Sequence, residues 1–488
     1  MTLPVNLESQ SRKPSRRLRQ TFSLFDLSSL SISSVAPAFS ISATTGVMVG
    51  YSGVYSILGI LLLALPFLIS SYTFRVLNRH FPHAGASYHW SRRVFGPRVA
   101  RFQGWILILA YFSSIPPILV PAAQYTLALI DPSANPSSWL EFLVGSFWMT
   151  FAIVPLLQGA RPTARITQIF FVIEIIFLSV FAVFGILAFP HIHVPVGGYG
   201  FHPGGILLTM IVASTIMDGW EIDSYASEES TQPDRDPGLG GIIGAIFALV
   251  IYLIFVPLIL FETPRHLLAN STAPMVLWAQ RLQPFMPPHA SVWILVPILA
   301  STAGSLWLTA YILIRGVFAM GRDGMIAKSF GKLNQRGIPA FATWVIFITA
   351  WAVMTLQLFV SSLSVFFNIL LSAAGFFLIF EFVLDNITSL VFLWRMHNRD
   401  DIHQSRVQRH THGWMMVGSG FTAIYLVGLL ISFIALSSRT ISPWVDPILA
   451  LLLALGLIYA ISSRIKTEKT SVFEYTTVEE TTDIVTGS

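Results

Sequence analysis

Three carboxylates, Asp218, Glu221 and Asp223, stand around Gly219 and Trp220 where an apolar run ends, in the stretch GILLTMIVASTIMDGWEIDSYASEESTQPDRDP from Gly205 to Pro237. A carboxylate near the centre of a bilayer costs roughly 2.5 to 3.5 kcal/mol on insertion scales, so it is kept where it faces a cavity, a partner or a ligand. On a regular helix, residues three or four apart share a face and residues two apart do not. The three acids therefore cannot all point one way. Asp218 and Glu221 are read as groups that recognise a cation or relay a proton, and Asp223 as facing a water-filled vestibule. Gly219 supplies the break that such a site needs.

A second acid, Glu174, sits alone in the apolar run VIEII. A buried glutamate can load and release a proton, or stay ionised beside a cation; the competing reading is a structural hydrogen bond to a neighbouring helix. Ser301, Thr302 and Ser305 could offer oxygens to a sodium ion, against the competing role of small residues in helix packing. Trp105, Tyr111, Trp220 and Trp307 are candidate gate aromatics, with Trp220 set apart by its place at the break. Glu381 and Asp385, four apart, share a helix face and are expected to pair with basic residues. Pro116, Pro117 and Pro121 should bend their helix, with Gln124 and Tyr125 beyond. The histidines, among them His80, His83, His89, His191 and His193, fall in connections without a metal-site pattern. Neither GxSxG nor GxxxxGK[ST] occurs, which removes the hydrolase elbow and the phosphate loop. No cofactor is implied.

These residues lie in a chain that is 54% hydrophobic and 11% charged, with mean hydropathy +0.69. Soluble proteins carry about 25% charged residues, so this is an integral membrane protein of the all-α class. A crossing of about 30 Å needs about 20 apolar residues. Twelve spans are read, over about 22–49, 53–74, 102–130, 139–158, 166–189, 203–226, 240–262, 291–318, 340–361, 364–394, 413–436 and 443–463. With both termini in the cytoplasm, all but Arg265, Arg281 and Arg439 of the 29 lysines and arginines fall on the inner side. That asymmetry sets orientation and checks the span count together. It also explains the formal charge of +5 without a nucleic acid partner, and the basic residues Arg12, Lys13, Arg16, Arg17 and Arg19 can meet anionic lipid. The first 21 residues lack a signal-peptide core, so the first span is expected to direct insertion. Zero cysteines exclude disulfides and thiolate chemistry. The triplet Asn270, Ser271, Thr272 is a glycosylation sequon of low information.

Two spans look interrupted, and they are five apart. Ser28, Ser29, Ser31, Ser33, Ser34, Pro37, Ser40 and Ser42 crowd the first, and Pro37 should disturb the turn around Ser33. The sixth carries Asp218-Gly219. Broken helices at matching places in two halves point to a 5+5 inverted repeat with its site at the midplane. The expected domains are a basic cytoplasmic tail at 1–21, a transport core at 22–394 and accessory helices eleven and twelve at 395–463, for lipid or for contact between copies in a homo-oligomer. A disordered cytoplasmic tail follows at 464–488.

The run from Ala226 to Pro237, with its acidic pair Glu228-Glu229, Pro233, Arg235 and Pro237, resembles the motif that closes the sixth helix of amino acid/polyamine/organocation permeases. Arg315 to Phe330, RGVFAMGRDGMIAKSF, followed by Ile338-Pro339-Ala340, is similar to the connection after that family's eighth helix, and Gly159 to Arg165 also fits. The resemblance covers about residues 22 to 463. It implies a LeuT-like fold, with unwound first and sixth helices meeting the substrate. On that basis the substrate-binding set is Ser33, Ser34, Val35, Ala36, Pro37, Thr215, Asp218, Gly219, Trp220 and Glu221. A substrate carboxylate would lie near Ser34, Val35 and Ala36, and an amino group near carbonyls around Thr215 and Asp218. Relatives commonly carry a glycine-serine-glycine break where this chain has Ser33 to Pro37. Glu174 stands in the stretch where some proton-coupled relatives carry a lysine, and Glu228, Glu229 and Arg235 would be gating elements.

The expectation is a multi-pass transporter of the plasma or inner membrane that carries a small molecule, an amino acid or related amine, by alternating access and is driven by protons. Sodium coupling is the alternative ion. Alternative activities are a polyamine or organic-cation carrier, an amino acid exchanger, and a non-transporting sensor. It is not expected to be an enzyme.

Overall fold

An apolar segment in lipid must satisfy its backbone hydrogen bonds internally, and the chain accordingly folds into helices. The computed structural model describes residues 18–131, 136–192, 194, 201–359, 363–398 and 406–462. Arg12, Lys13, Arg16, Arg17, His193 and the tail from 464 onward lie outside the described residues. Phe22 and Ser230 form one isolated β-bridge.

The first pass is two helices, α1 (Leu24–Val35) and α2 (Pro37–Ser52). Ser23 and Asp26 form a reciprocal capping box at the start of α1. Between the halves, Ala36 adopts a left-handed conformation at φ 49°, and Pro37 opens α2. The break therefore falls at Ala36, about one turn later than the proline clash alone suggests, because proline is well placed at the first position of a helix.

The next passes are α3 (Ser56–His80), α5 (Pro97–Ile130), α6 (Ser138–Gln158) and α7 (Ala160–Ala188), with the short amphipathic α4 (Ala86–Phe95) between the first two. The sixth pass is α8 (Pro203–Met217) and the single turn α9 (Ile222–Tyr225). Then come α10 (Leu239–Glu262), a connection holding α11 (Arg265–Ala269) and α12 (Pro274–Arg281), then α13 (Leu295–Arg322), α14 (Ala340–Thr355) and α15 (Leu363–His397). The chain closes with α16 (Arg406–Thr440) and α17 (Val445–Ile461).

Among the described residues, nine helical stretches are long and apolar enough to cross a membrane. One of them, Leu24–His80, is 57 residues long, far beyond the roughly 20 needed for one crossing, and it bends at Gly53 between α2 and α3. The shorter apolar helices Pro203–Met217 and Val445–Ile461 complete the twelve passes.

The packing exchanges partners between the halves. Helix α1 packs on α10 and α7, while its counterpart α8 packs on α3 and α15; likewise α5 packs on α15, and α13 on α7. Swapping pass n for pass n+5 turns each contact into the other. Because each half has an odd number of passes, the second starts on the opposite side of the bilayer, so the repeat is inverted. Helices α16 and α17 lie against this core, on α15 and α5, and Trp105 donates its indole N–H to Leu452 O at 2.9 Å.

Candidate functional site

The two breaks meet. Gly219 has φ +107°, and a Cβ there would stand 2.8 Å from both the carbonyl carbon and Oγ of Ser34, so no other residue fits without moving the first break. Ser31 Oγ donates to Trp220 O at 2.9 Å, and the Tyr252 hydroxyl donates to Ile216 O. Each interrupted helix is thereby held by its counterpart or by α10.

Beside this junction lies a cavity of about 40 Å³. Its polar lining is Ser34, Ser40, Thr44, Ser114, Thr215, Asp218, Ser305 and Thr309; Phe39, Pro117, Phe367 and Leu371 are among its apolar walls. Ser34 Oγ and Asp218 Oδ1 are buried without a hydrogen-bond partner. A larger cavity of about 260 Å³ shares Ala43 and Phe367 with the first and reaches Asn270, Ser271 and Thr272 in the connection after α10. The larger cavity thus shares walls with the site and lies toward the connection after α10.

The substrate-binding candidates divide by position. Ser34, Thr215 and Asp218 line the cavity. Ser33 is buried with its hydroxyl unpartnered, Val35 O accepts from Ser40 Oγ at 2.8 Å, and Ala36, Pro37 and Gly219 form the breaks. Glu221 lies behind the cavity, accepting the Tyr111 hydroxyl at 2.9 Å and the Gly219 N–H at 3.0 Å. Trp220 packs on Phe74 and Phe382 at ring distances of 5.0 and 5.6 Å, toward the arginine-rich end. It does not face the cavity. Asp223, expected in a vestibule, is instead fully buried and accepts the N–H groups of Gly238 and Gly241 at the start of α10. A carboxylate at a helix N-terminus meets unpaired amides and a favourable dipole.

Glu174 does the same for α2. Its Oε1 accepts the Ala38 N–H at 3.0 Å, and Ser301, which hydrogen-bonds Glu174, accepts the Phe39 N–H at 3.2 Å. Thr302 Oγ1 donates to Ile298 O within its own helix at 2.6 Å. Ser305 faces the cavity. Trp307 donates to Thr167 Oγ1 at 2.8 Å in the packing between α13 and α7. Glu381 and Asp385 form no ion pair among the described residues. They accept instead from the Tyr225 hydroxyl at 2.8 Å and from Ser87 Oγ at 2.7 Å.

The arginine-rich end is sealed. Arg322 holds Glu228 through two hydrogen bonds of 2.6 and 2.8 Å, and Arg315 holds Glu229 through two of 2.8 and 2.9 Å. The Tyr311 hydroxyl also donates to Glu229. Arg92 pairs with Asp323 at 2.6 Å and Arg161 with Asp26 at 3.2 Å. The segment entering α1 closes over this end, with Thr21 and Phe22 donating to Glu229 O at 2.7 and 2.9 Å. Arg235, the third gating candidate, is exposed and bonds Gln232. His83 and His89 stack at 3.6 Å within the seal. Burial, then the charge of the neighbouring ring, pushes His83 well below the ordinary histidine value; burial likewise lowers His89. For Glu228, burial works against ionisation, but Arg322 beside it holds the carboxyl below its usual range.

The residues alone show neither that Arg315 and Arg322 hold Glu229 and Glu228 and that Asp323 holds Arg92, nor that Ser40, Thr44, Ser114, Thr309 and Phe367 line the cavity. The Ser40/Thr44 pair at i, i+4 was a usable signal, since it places two hydroxyls on one helix face.

The chain matches the amino acid permease family over residues 22–461. It is similar to the branched-chain amino acid permease BcaP of Lactococcus lactis subsp. cremoris, at 27% identity over 55% of this chain and 61% of the relative. It is also similar to BcaP of Bacillus subtilis, at 24% identity over 67% of this chain and 73% of the relative. The methylthioribose transporter of Bacillus subtilis is 24% identical over 69% of this chain and 73% of the relative.

Proposed function

This chain belongs to the amino acid permease family, and on that premise we propose that it is a secondary-active transporter of an amino acid or related amine, working by alternating access and driven by protons. The observation that carries the reading is the cavity at the junction of two interrupted helices, with Ser34 Oγ and Asp218 Oδ1 buried and unpartnered in it. A buried oxygen without a donor is costly, and a bound ammonium or hydroxyl would relieve it.

The bias of Lys and Arg puts the sealed end, and both termini, in the cytoplasm. The conformation is then closed inward, with its larger cavity reaching the outside. Transport requires the Glu228–Arg322 and Glu229–Arg315 pairs to part while the outer cavity narrows, with Phe367 between the two cavities as the element that shuts.

Glu174 is our candidate for coupling. A hydrogen bond to an ionised group contributes about 1.5–3 kcal/mol, against about 0.5–1.5 for a neutral one. Protonating Glu174 therefore loosens the start of α2 by about 1 kcal/mol, roughly a fivefold shift in a two-state equilibrium. Ser301 moves with it, because it bonds both Glu174 and Phe39. The direct test is uptake into proteoliposomes by wild type and Glu174→Gln across pH. Uptake that stays pH-dependent in the variant removes Glu174 from this role.

A further inference from the structure

The donors and acceptors around the cavity are unequally committed. At the first break the α2 amides that could receive a carboxylate are already held by the protein's own oxygens, Ala38 N–H by Glu174 and Phe39 N–H by Ser301, and at the second break Gly219 N–H is held by Glu221. In α1, Ala36 N–H returns to Ile32 O. Several cavity hydroxyls have also spent their protons on helix carbonyls. Ser40 donates to Val35 O, Thr44 to Ser40 O, Ser114 to Ala110 O and Thr215 to Val212 O, at 2.7 to 2.8 Å. What these groups turn to the cavity is lone pairs. Among the described residues that line it there is no lysine, arginine or histidine, whereas Asp218 is there.

A ligand carboxylate would find few donors here and, at the α2 N-terminus, the like charge of Glu174. An ammonium would find Asp218, Ser34 Oγ and a set of hydroxyl acceptors. We infer that the preferred substrate is a small organic amine without a carboxylate, its cationic nitrogen on Asp218 Oδ1 and Ser34 Oγ and its carbon chain against Phe39, Ile118, Ile216 and Leu371. The first cavity, about 40 Å³, holds about three water-sized groups, enough for the ammonium end or for a very short amine, and a longer carbon chain would extend past Phe367 toward the larger cavity of about 260 Å³. This inference rests on the reading of the cavity as the transport site and narrows the substrate class from amino acids and amines to amines alone.

The test is binding to the purified full-length protein, by calorimetry, of matched pairs that differ by one carboxylate: alanine and ethylamine, leucine and 3-methylbutylamine, lysine and cadaverine. At least one amine should bind about tenfold or more tightly than its carboxylated partner. Asp218→Asn should weaken that amine about tenfold or more, the loss expected when a charged hydrogen bond becomes neutral, and Asp218→Glu should restore part of it. An amino acid that binds as tightly as its amine overturns the inference, as does an Asp218→Asn variant that still folds and binds the amine unchanged. Uptake of the same pairs into vesicles separates the two levels. Accumulation of the amino acid alone leaves the transport reading standing and removes this one, whereas no binding and no accumulation of either member counts against both.

Discussion

Glu174 and Ala38, 136 residues apart in the chain, are joined by a 3.0 Å hydrogen bond from the backbone N–H of Ala38 to the carboxylate. The bond fixes the start of α2 to the middle of α7, beside a second link through Ser301, which bonds both Glu174 and the Phe39 N–H. Glu174→Gln keeps an acceptor, so it should fold and bind substrate while losing most pH dependence of uptake. Glu174→Ala leaves a buried N–H without a partner and should lower stability by about 1–3 kcal/mol, read as a lower melting temperature in detergent. Equal behaviour of the two variants in both assays would count against the capping account.

Gly219→Ala should reduce uptake at least tenfold, because the left-handed backbone and the approach to Ser34 both exclude a side chain. Ser34→Gly should not rescue it: the Ser34 carbonyl carbon and oxygen, at 2.8 and 2.9 Å from the added Cβ, remain. Recovery in the double variant would mean that only the hydroxyl was in the way.

Ala36 holds a left-handed conformation that costs an L-residue about 1–2 kcal/mol. Ala36→Gly should therefore stabilise the broken first pass, raising the melting temperature by a few degrees. Ala36→Val should lower it and slow uptake. Pro37→Ala should do less than either, since Pro37 occupies the first turn of α2, where no hydrogen bond depends on it. A larger loss for Pro37→Ala than for Ala36→Val would place the break's cause at the proline.

The seal at the arginine-rich end can be probed because the chain has no cysteine. A single Ser227→Cys lies fully buried behind Glu228 and should resist a thiol reagent added from the cytoplasmic side. Arg322→Ala should expose it, with labelling several times faster. Reversing the pair, Glu228→Arg with Arg322→Glu, should restore protection, and unchanged labelling throughout would show that the pair does not hold the end shut.

Acid should open the same end. His83 and His89 have closed-state pKa values below the ordinary 6.5, so the closed form binds protons less readily than an open, solvated one. Closure is then favoured above about pH 6.5 and weakens as pH falls below that value. Arg322 donates to His83 Nε2 at 2.6 Å, which requires that nitrogen to be unprotonated. Burial opposes ionisation of both neighbouring acids, but Glu228 is held low by Arg322, and Asp323 is held low first by its hydrogen bond with His89 and then by Arg92. Labelling of Ser227→Cys, taken relative to that of a cysteine at an exposed position so that the falling thiolate fraction cancels, should accelerate between pH 7 and 5.5, and His83→Gln with His89→Gln should flatten the response. An acceleration that survives both substitutions would assign it elsewhere.

Much of the architecture was legible in the residues. Apolar run length gave the twelve passes, the lysine and arginine asymmetry checked their number, and Pro37 and Asp218-Gly219 marked the two interruptions, because each is a local backbone property. Which face a side chain presents was harder to read. Asp223 looks like a vestibule acid in sequence but caps α10, since the return of Gly238 and Gly241 to its side depends on the turn between them. Glu381 and Asp385 share a face as their spacing requires, yet they meet Tyr225 and Ser87 instead of arginines. Their partners come from passes far apart in sequence, and no periodicity encodes that meeting. The arginine-acid seal was hidden for the same reason: Glu228 and Arg322 are 94 residues apart.

The central claim is proton-driven transport through the cavity between the two breaks. It is tested most directly by uptake of labelled amines and amino acids into proteoliposomes carrying an imposed proton gradient, a sodium gradient or neither. The account predicts accumulation under the proton gradient alone, collapse with a protonophore, and loss of that drive in Glu174→Gln. Accumulation that follows sodium, or that ignores both gradients, would contradict it.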